Sequence, residues 1–282
     1  MGINYGPFHQ GNQQPGTPIS DDQFISDLKT ISTGLASSFN VIKTYGIDKE
    51  SRLDRVVPLA AKYLPALQVY QGIYESPEYN SNANKEYLDT AIQLAKQYPD
   101  TVAALVVGNE CLTGDPNPSI SLDQLLRDLQ YVKNGLTGNP KTKVTTCLTW
   151  GAADNPDFRN QLNESPFLDY IMINIYPFYA GPYGISIDKA FGNLMEGFNK
   201  FKSLFSKKEV FIGETGWPSA GDANGEAIPS VANEQTYTRQ IATSKLPGSI
   251  FMFAAFDEPW LVRQNSWGPH WGIWDSTGKL KW

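Results

Sequence analysis

The chain has 282 residues, of which 41% are hydrophobic and 18% charged, a balance that excludes a disordered chain and suffices for the core of one or two domains. Its 23 basic and 29 acidic side chains leave a net charge of −6, and no basic run exceeds Lys207-Lys208, which argues against a nucleic-acid partner. Two cysteines, Cys111 and Cys147, are too few for a disulfide scaffold, and apolar runs of about six residues fall far short of the ~20 needed to span a membrane.

Short apolar runs rich in β-branched and aromatic residues alternate with longer amphipathic runs. In chain order, strands are predicted at residues 3–5, 41–45, 66–70, 102–107, 144–148, 170–175, 209–212 and 250–256. Between them, helices are predicted at 21–33, 49–62, 83–98, 122–136, 187–204 and 230–243. Asp21 and Ser121 read as N-caps, and Pro229 beside Ser230 as a further helix start. The stretch 155–167 is short and interrupted by proline, so it carries the least helical signal of the crossovers. Residues 8–18 and 221–229 read as surface loops, and the chain has no internal repeat. Eight strands with helical crossovers in this length predict a (β/α)8 TIM barrel, one catalytic domain over residues 1–282 without large insertions. A doubly wound sheet would carry a glycine-rich phosphate loop after its first strand, where this chain reads Gly6-Pro7-Phe8-His9.

Absences narrow the chemistry. Gly-x-Gly-x-x-Gly, the phosphate-loop motif, His-Glu-x-x-His and Gly-x-Ser-x-Gly are all missing. With only His9 and His270, no histidine-rich metal site can form, and no serine elbow supports a catalytic triad. Neither a metal nor a cofactor is implied, and carboxylates remain. In a (β/α)8 barrel the reactive groups stand at the C-terminal ends of strands. Glu110 follows the fourth apolar run in Gly108-Asn109-Glu110, and Glu214 follows the seventh in Gly213-Glu214-Thr215-Gly216-Trp217-Pro218. A strand-end glutamate can simply pair with a nearby Lys or Arg. Two of them on opposite sides of one barrel mouth are what glycoside hydrolysis uses: one carboxyl protonated to release the leaving oxygen, one ionised to attack the sugar.

Val107-Gly108-Asn109-Glu110 and Ile212-Gly213-Glu214-Thr215-Gly216-Trp217-Pro218-Ser219 resemble two signature strands of glycoside hydrolase family 17. Ile3-Asn4-Tyr5-Gly6, Asn174-Ile175-Tyr176-Pro177-Phe178, Phe256-Asp257-Glu258-Pro259-Trp260 and His270-Trp271-Gly272-Ile273 resemble other segments of that family, so the likeness runs over essentially the whole chain. The Asp-Glu-Pro-Trp and His-Trp-Gly forms resemble its fungal cell-wall branch. The resemblance implies a retaining enzyme acting on β-1,3-glucan, with Glu110 as acid/base, Glu214 as nucleophile and Asn109 on the sugar 2-hydroxyl. It implies a glucanosyltransferase that elongates as well as cuts. A purely hydrolytic endo-glucanase, a mixed-linkage β-1,3/1,4-glucanase and an inactive glucan-binding barrel are the alternatives.

Around that pair, Tyr5 and Tyr176 are candidates to orient Glu214 or touch the sugar, with ordinary packing as the other reading. Tyr45 is a further strand-end candidate. Trp150, Phe178 and Trp217 follow the fifth, sixth and seventh strands and are candidate stacking platforms, with a core role open for each. Glu258 is expected to help hold the sugar or to pair with a Lys. Cys111, next to Glu110, is expected to be packed or bridged to Cys147 and not reactive, since no histidine lies near to activate it. The expected partner is β-1,3-glucan or its oligosaccharides, met by a monomer in the cell wall or secreted medium. Met-Gly-Ile-Asn at the start is not a signal peptide, so a leader is expected to have been removed. Asn163-Glu164-Ser165 is a single glycosylation sequon.

Overall fold

The computed structural model describes residues 1–34, 39–76, 83–112, 120–244, 246 and 250–282. Eight parallel strands follow one another around a closed barrel. They are β1 (Gly2–Asn4), β2 (Val41–Lys43), β3 (Gln68–Ile73), β4 (Val102–Asn109), β5 (Lys143–Leu148), β6 (Tyr170–Asn174), β7 (Glu209–Thr215) and β8 (Ile250–Met252). β8 pairs back onto β1 and closes the ring. The predicted (β/α)8 fold is therefore the observed one.

Alternation along the strands sorts the residues. Leu105, Val107, Ile171 and Ile173 join the large core between barrel and helices. Ala104, Val106, Cys147, Tyr170, Met172 and Phe251, with Val41, Tyr70 and Phe211 against them, form a separate cluster inside the barrel. Rings plug this floor: Tyr170 stacks on Phe211 at 4.3 Å, and Tyr70 meets Phe251 at 4.8 Å. One layer further toward the C-terminal ends the inward positions turn polar. Asn4, Lys43 and Asn174 are all buried there. An apolar plug below a layer of fixed polar groups is the platform on which the strand-end glutamates stand.

The helices are α1 (Asp21–Thr33), α2 (Val56–Tyr63), α3 (Ala83–Gln97), α4 (Leu122–Gly135), α5 (Trp150–Asp154), α6 (Pro156–Glu164), α7 (Ile187–Leu204) and α8 (Val231–Thr243). Ser121 caps α4 as expected, accepting from the Gln124 N–H. α1 is capped by Ser20, and Asp21 is its first helical residue. Ser230 caps α8, so Pro229 lies outside the helix. The crossover after β5, which carried little helical signal, holds two helices. Thr149 caps the first, and Asn155 caps the second with Pro156 in its first turn, where a missing N–H costs nothing. α2 starts later than residue 49: Arg52 has φ 63° and a 3₁₀ turn, Leu53–Arg55, precedes it. β8 stops at Met252, short of residue 256. The Ala254 N–H turns to Trp271 O and the Ala255 N–H to Asn4 O, which ties the closing segment to the barrel.

Candidate active site

Glu110 is placed by a break in β4. Gly108 has φ 72°, and a Cβ there would lie 2.4 Å from Cys111 Sγ, so this position requires glycine. The β4–β5 register shifts between Val106 and Asn109. Glu110 follows with φ 56° and donates its backbone N–H to Cys147 O. Its carboxylate oxygen Oε1 accepts from Asn174 Nδ2 at 2.8 Å. Burial pushes the Glu110 carboxyl up to about 7, helped by the negative charge of Glu214, while Asn174 and Lys43 pull it down. Near neutrality this group carries a proton it can give away.

Glu214, at the end of β7, sits in the opposite kind of place. It is buried, and three donors converge on it. Lys43 Nζ and Tyr45 OH both reach Oε1 at 2.9 Å, and Tyr176 OH reaches Oε2 at 2.7 Å. Lys43 is fully buried and also donates to Asn4 Oδ1 at 2.9 Å, with its Nζ 4.4 Å from the centre of the Tyr45 ring. Asn4 in turn donates to the carbonyls of Gly213 and Met252, joining β1 to β7 and β8. Burial and the Glu214 charge hold the Tyr45 and Tyr176 hydroxyls far above the ordinary phenol range, so both stay protonated donors. Two carboxyls thus stand in one mouth with unlike surroundings, the arrangement that separates an acid from a nucleophile.

Asn109 ends β4 beside Glu110, and its Oδ1 is buried without a hydrogen-bond partner among the described residues. Glu258 is buried against Gly6, where a Cβ would come within 2.3 Å of its Oε1. Trp260 Nε1 donates to that oxygen at 3.3 Å. Burial pushes the Glu258 carboxyl up to about 7, with Trp260 and His9 opposing.

The other sequence candidates have partners of their own. The Tyr5 hydroxyl donates to Asp27 of α1 at 2.8 Å, an acceptor it shares with His9 at 2.9 Å, so Tyr5 is not brought to Glu214. Phe178 is fully buried among Trp217, Trp267 and Trp271. Trp217 is 1% exposed and its indole N–H is taken by Ile228 O. Trp150, the first residue of α5, is 42% exposed and packs against α7, edge-on to Phe201 and under Lys200. Each ring follows a strand, and Phe178 and Trp217 are packed into the aromatic cluster that also holds Trp271. Tyr179 does offer a face. It is 44% exposed, it contacts Tyr176, Trp267 and Trp271, and the Glu110 charge reaches its hydroxyl. Cys111 and Cys147 are both free and buried, and burial pushes the Cys111 thiol up to about 12.

Lys43, Asn4 and Asn174 were absent from the sequence candidates. A signal existed for Lys43: it shares one strand face with Val41 and Tyr45, and on the face that packs inside the barrel a lysine needs an anion. Asn174 is likewise two residues beyond Met172 on the inward face of β6.

A closed barrel whose fourth and seventh strands end in two unlike glutamates is the frame of a carboxylate-pair glycoside hydrolase. The chain belongs to the BtgE/BtgC glycoside hydrolase domain family, whose profile matches residues 2–272, and is of the fungal cell-wall type of family 17. Cell surface mannoprotein MP65 of Candida albicans is 28% identical over 282 residues, which are 98% of this chain. The chain spans only 66% of that longer relative. Glucan 1,3-beta-glucosidase of Candida albicans is 24% identical over 93% of this chain and 88% of its own length. The crystal structure of a family 17 beta-1,3-glucanosyltransferase from Rhizomucor miehei superposes with a TM-score of 0.72 at 22% identity, over 99% of this chain and 94% of that one, and shares its fold. Among the described residues no helix is long and apolar enough to cross a membrane.

Proposed function

We propose that this chain is a retaining glycosidase acting on β-1,3-glucan, with Glu110 as acid/base and Glu214 as nucleophile. The observation that carries the reading is the unlike setting of the two carboxyls. Glu110 holds its proton up to about neutrality, whereas Glu214 is gripped by Lys43, Tyr45 and Tyr176. In the first step a Glu214 oxygen bonds to the anomeric carbon. The bond from that carbon to the leaving oxygen breaks, and the Glu110 proton passes to that oxygen. Glu110, now a carboxylate, takes a proton from the incoming hydroxyl in the second step, as that oxygen displaces Glu214 and restores the original configuration. Asn109 Oδ1, unsatisfied in the barrel mouth, accepts from the sugar 2-hydroxyl. Tyr45, bonded to Glu214, and Glu258, whose carboxyl feels the Glu214 charge, are the side chains assigned to hold the sugar at the cleavage point.

The incoming hydroxyl is water in hydrolysis and another glucan in transfer. Transfer is the favoured outcome, because Tyr179 presents a half-exposed aromatic face within reach of the Glu110 charge, where an acceptor sugar would stack. A cell surface mannoprotein among the relatives supports a site of action at the cell wall, where glucan would serve as both donor and acceptor. A purified laminari-oligosaccharide labelled at its reduced end tests both parts. Products longer than the substrate support transfer, and a ladder of shorter products at every concentration refutes it. Full activity in Glu214→Ala would refute the assignment of the nucleophile.

A further inference from the structure

A thiol sits behind the acid/base. Cys147 ends the inward face of β5 and is wholly buried. Its Sγ lies 2.9 Å from Asn174 Oδ1, and the Nδ2 of the same amide lies 2.8 Å from Glu110 Oε1. The space for this contact comes from β7. A Cβ on Gly213 would come within 2.3 Å of Cys147 Sγ and 2.9 Å of Asn174 Oδ1. The glycine of the seventh-strand motif therefore leaves a slot that the thiol fills. The backbone adds a second link, because the Glu110 N–H donates to the Cys147 carbonyl at 2.8 Å.

An asparagine amide is nearly symmetrical in shape, so its neighbours decide which end faces where. With the carbonyl toward Glu110, a carboxylate would meet a like partial charge. With the NH₂ toward Glu110, it meets a donor. We infer that Cys147 is a positioning residue for the acid/base: its S–H donates to Asn174 Oδ1 and so keeps the Asn174 NH₂ aimed at Glu110. Burial pushes the Cys147 thiol well above its ordinary range, so it keeps the proton this role needs. The inference rests on the assignment of Glu110 proposed above.

The sign of the effect follows from the donor. Asn174 stabilises the charged form of Glu110 and pulls its carboxyl down. When the thiol is removed the amide is free to turn, its carbonyl accepts from the protonated Glu110, and the carboxyl holds its proton to higher pH. The test is the pH profile of kcat/KM on a laminari-oligosaccharide. Cys147→Ala and Asn174→Ala are each expected to move the alkaline limb up by about half a pH unit or more, and the double variant no further than Asn174→Ala. Cys147→Ser, which keeps a donor, is expected to retain the wild-type limb. A folded Cys147→Ala variant with the wild-type limb, or a Cys147→Ser variant displaced as far as Cys147→Ala, overturns the inference. If Cys147→Ala does not fold, infrared spectroscopy in a Cys111→Ser background decides. The S–H stretch of Cys147 is expected to rise in frequency when Asn174 becomes alanine, and an unchanged band overturns the inference. Wild-type protein inactive on every β-1,3-glucan would refute the glycosidase reading and leave the infrared result standing on its own.

Discussion

Replacing Lys43 with methionine keeps the length of the side chain and removes only the ammonium. In the native protein that ammonium is fully buried, 2.9 Å from Glu214 and 2.9 Å from Asn4 Oδ1. Two unit charges at this distance attract by about 6 kcal/mol at an effective dielectric of about 20. Most of that attraction offsets the cost of taking both groups out of water, so the pair as a whole contributes little to net stability. Losing one partner is different. The Glu214 carboxylate stays buried with two hydroxyl donors and no cation, and Asn4 loses the donor that orients its bridge between β7 and β8. The expected cost is about 3–5 kcal/mol, measured by urea denaturation at neutral pH. Adding Glu214→Gln to Lys43→Met removes the stranded charge and is expected to restore more than half of that loss. A Lys43→Met variant less than about 1 kcal/mol below wild type would refute the reasoning, as would a double variant no more stable than the single one.

The remaining expectations concern the acid, the bulge and the aromatic rings. As the proposed acid, Glu110 acts in its protonated form, and with its carboxyl pushed up to about 7, kcat/KM is expected to be sustained below pH 7 and to fall about tenfold per pH unit above it. The same limb in Glu258→Gln would assign it to Glu110, since Glu258 is also pushed up to about 7. Gly108→Ala, forced into φ 72° with its Cβ against Cys111 Sγ, is expected to cost at least about 1 kcal/mol in a melting experiment and to lower kcat by displacing Glu110. Unchanged kcat would show that the bulge does not place the acid. Phe178→Ala is expected to destabilise by about 3–5 kcal/mol, as a buried ring does. Tyr179→Ala, which removes a half-exposed ring, is expected to destabilise less than Phe178→Ala in urea denaturation and to lower the ratio of transfer to hydrolysis. An unaltered ratio would remove Tyr179 from the acceptor side.

The barrel and its two glutamates were legible because they depend on short-range regularities. Strand and helix periods alternate in sequence, and a chain of eight such units closes in only a few ways. Glycine just before Glu110 and Glu214 likewise marks the C-terminal part of β4 and β7, where the pairing register shifts. The helices of the β5–β6 crossover were harder, because each is short and its stability comes from the Thr149 and Asn155 caps and from packing, not from a long periodic face. Position at a strand end says that a side chain lies near the mouth; it does not say toward which layer it turns. Register shifts between Ile212 and Thr215 of β7, and between Ile173 and Asn174 of β6, alter the simple alternation there.

Sequence by itself thus determined the fold and marked Glu110 and Glu214 as candidates at the ends of the fourth and seventh strands, since both readings follow from local pattern and motif. Tertiary structure decided the rest. It sent Tyr5 to Asp27, buried Phe178 and Trp217, packed Trp150 of α5 against α7, and left Cys111 and Cys147 as free thiols. It also brought Lys43, 171 residues away in the chain, onto Glu214, and Asn174, 64 residues away, onto Glu110. What sets the two glutamates apart, and supports the proposed acid and nucleophile, is burial and the partners gathered around each. Those partners come from strands distant in the chain and meet only when the barrel closes.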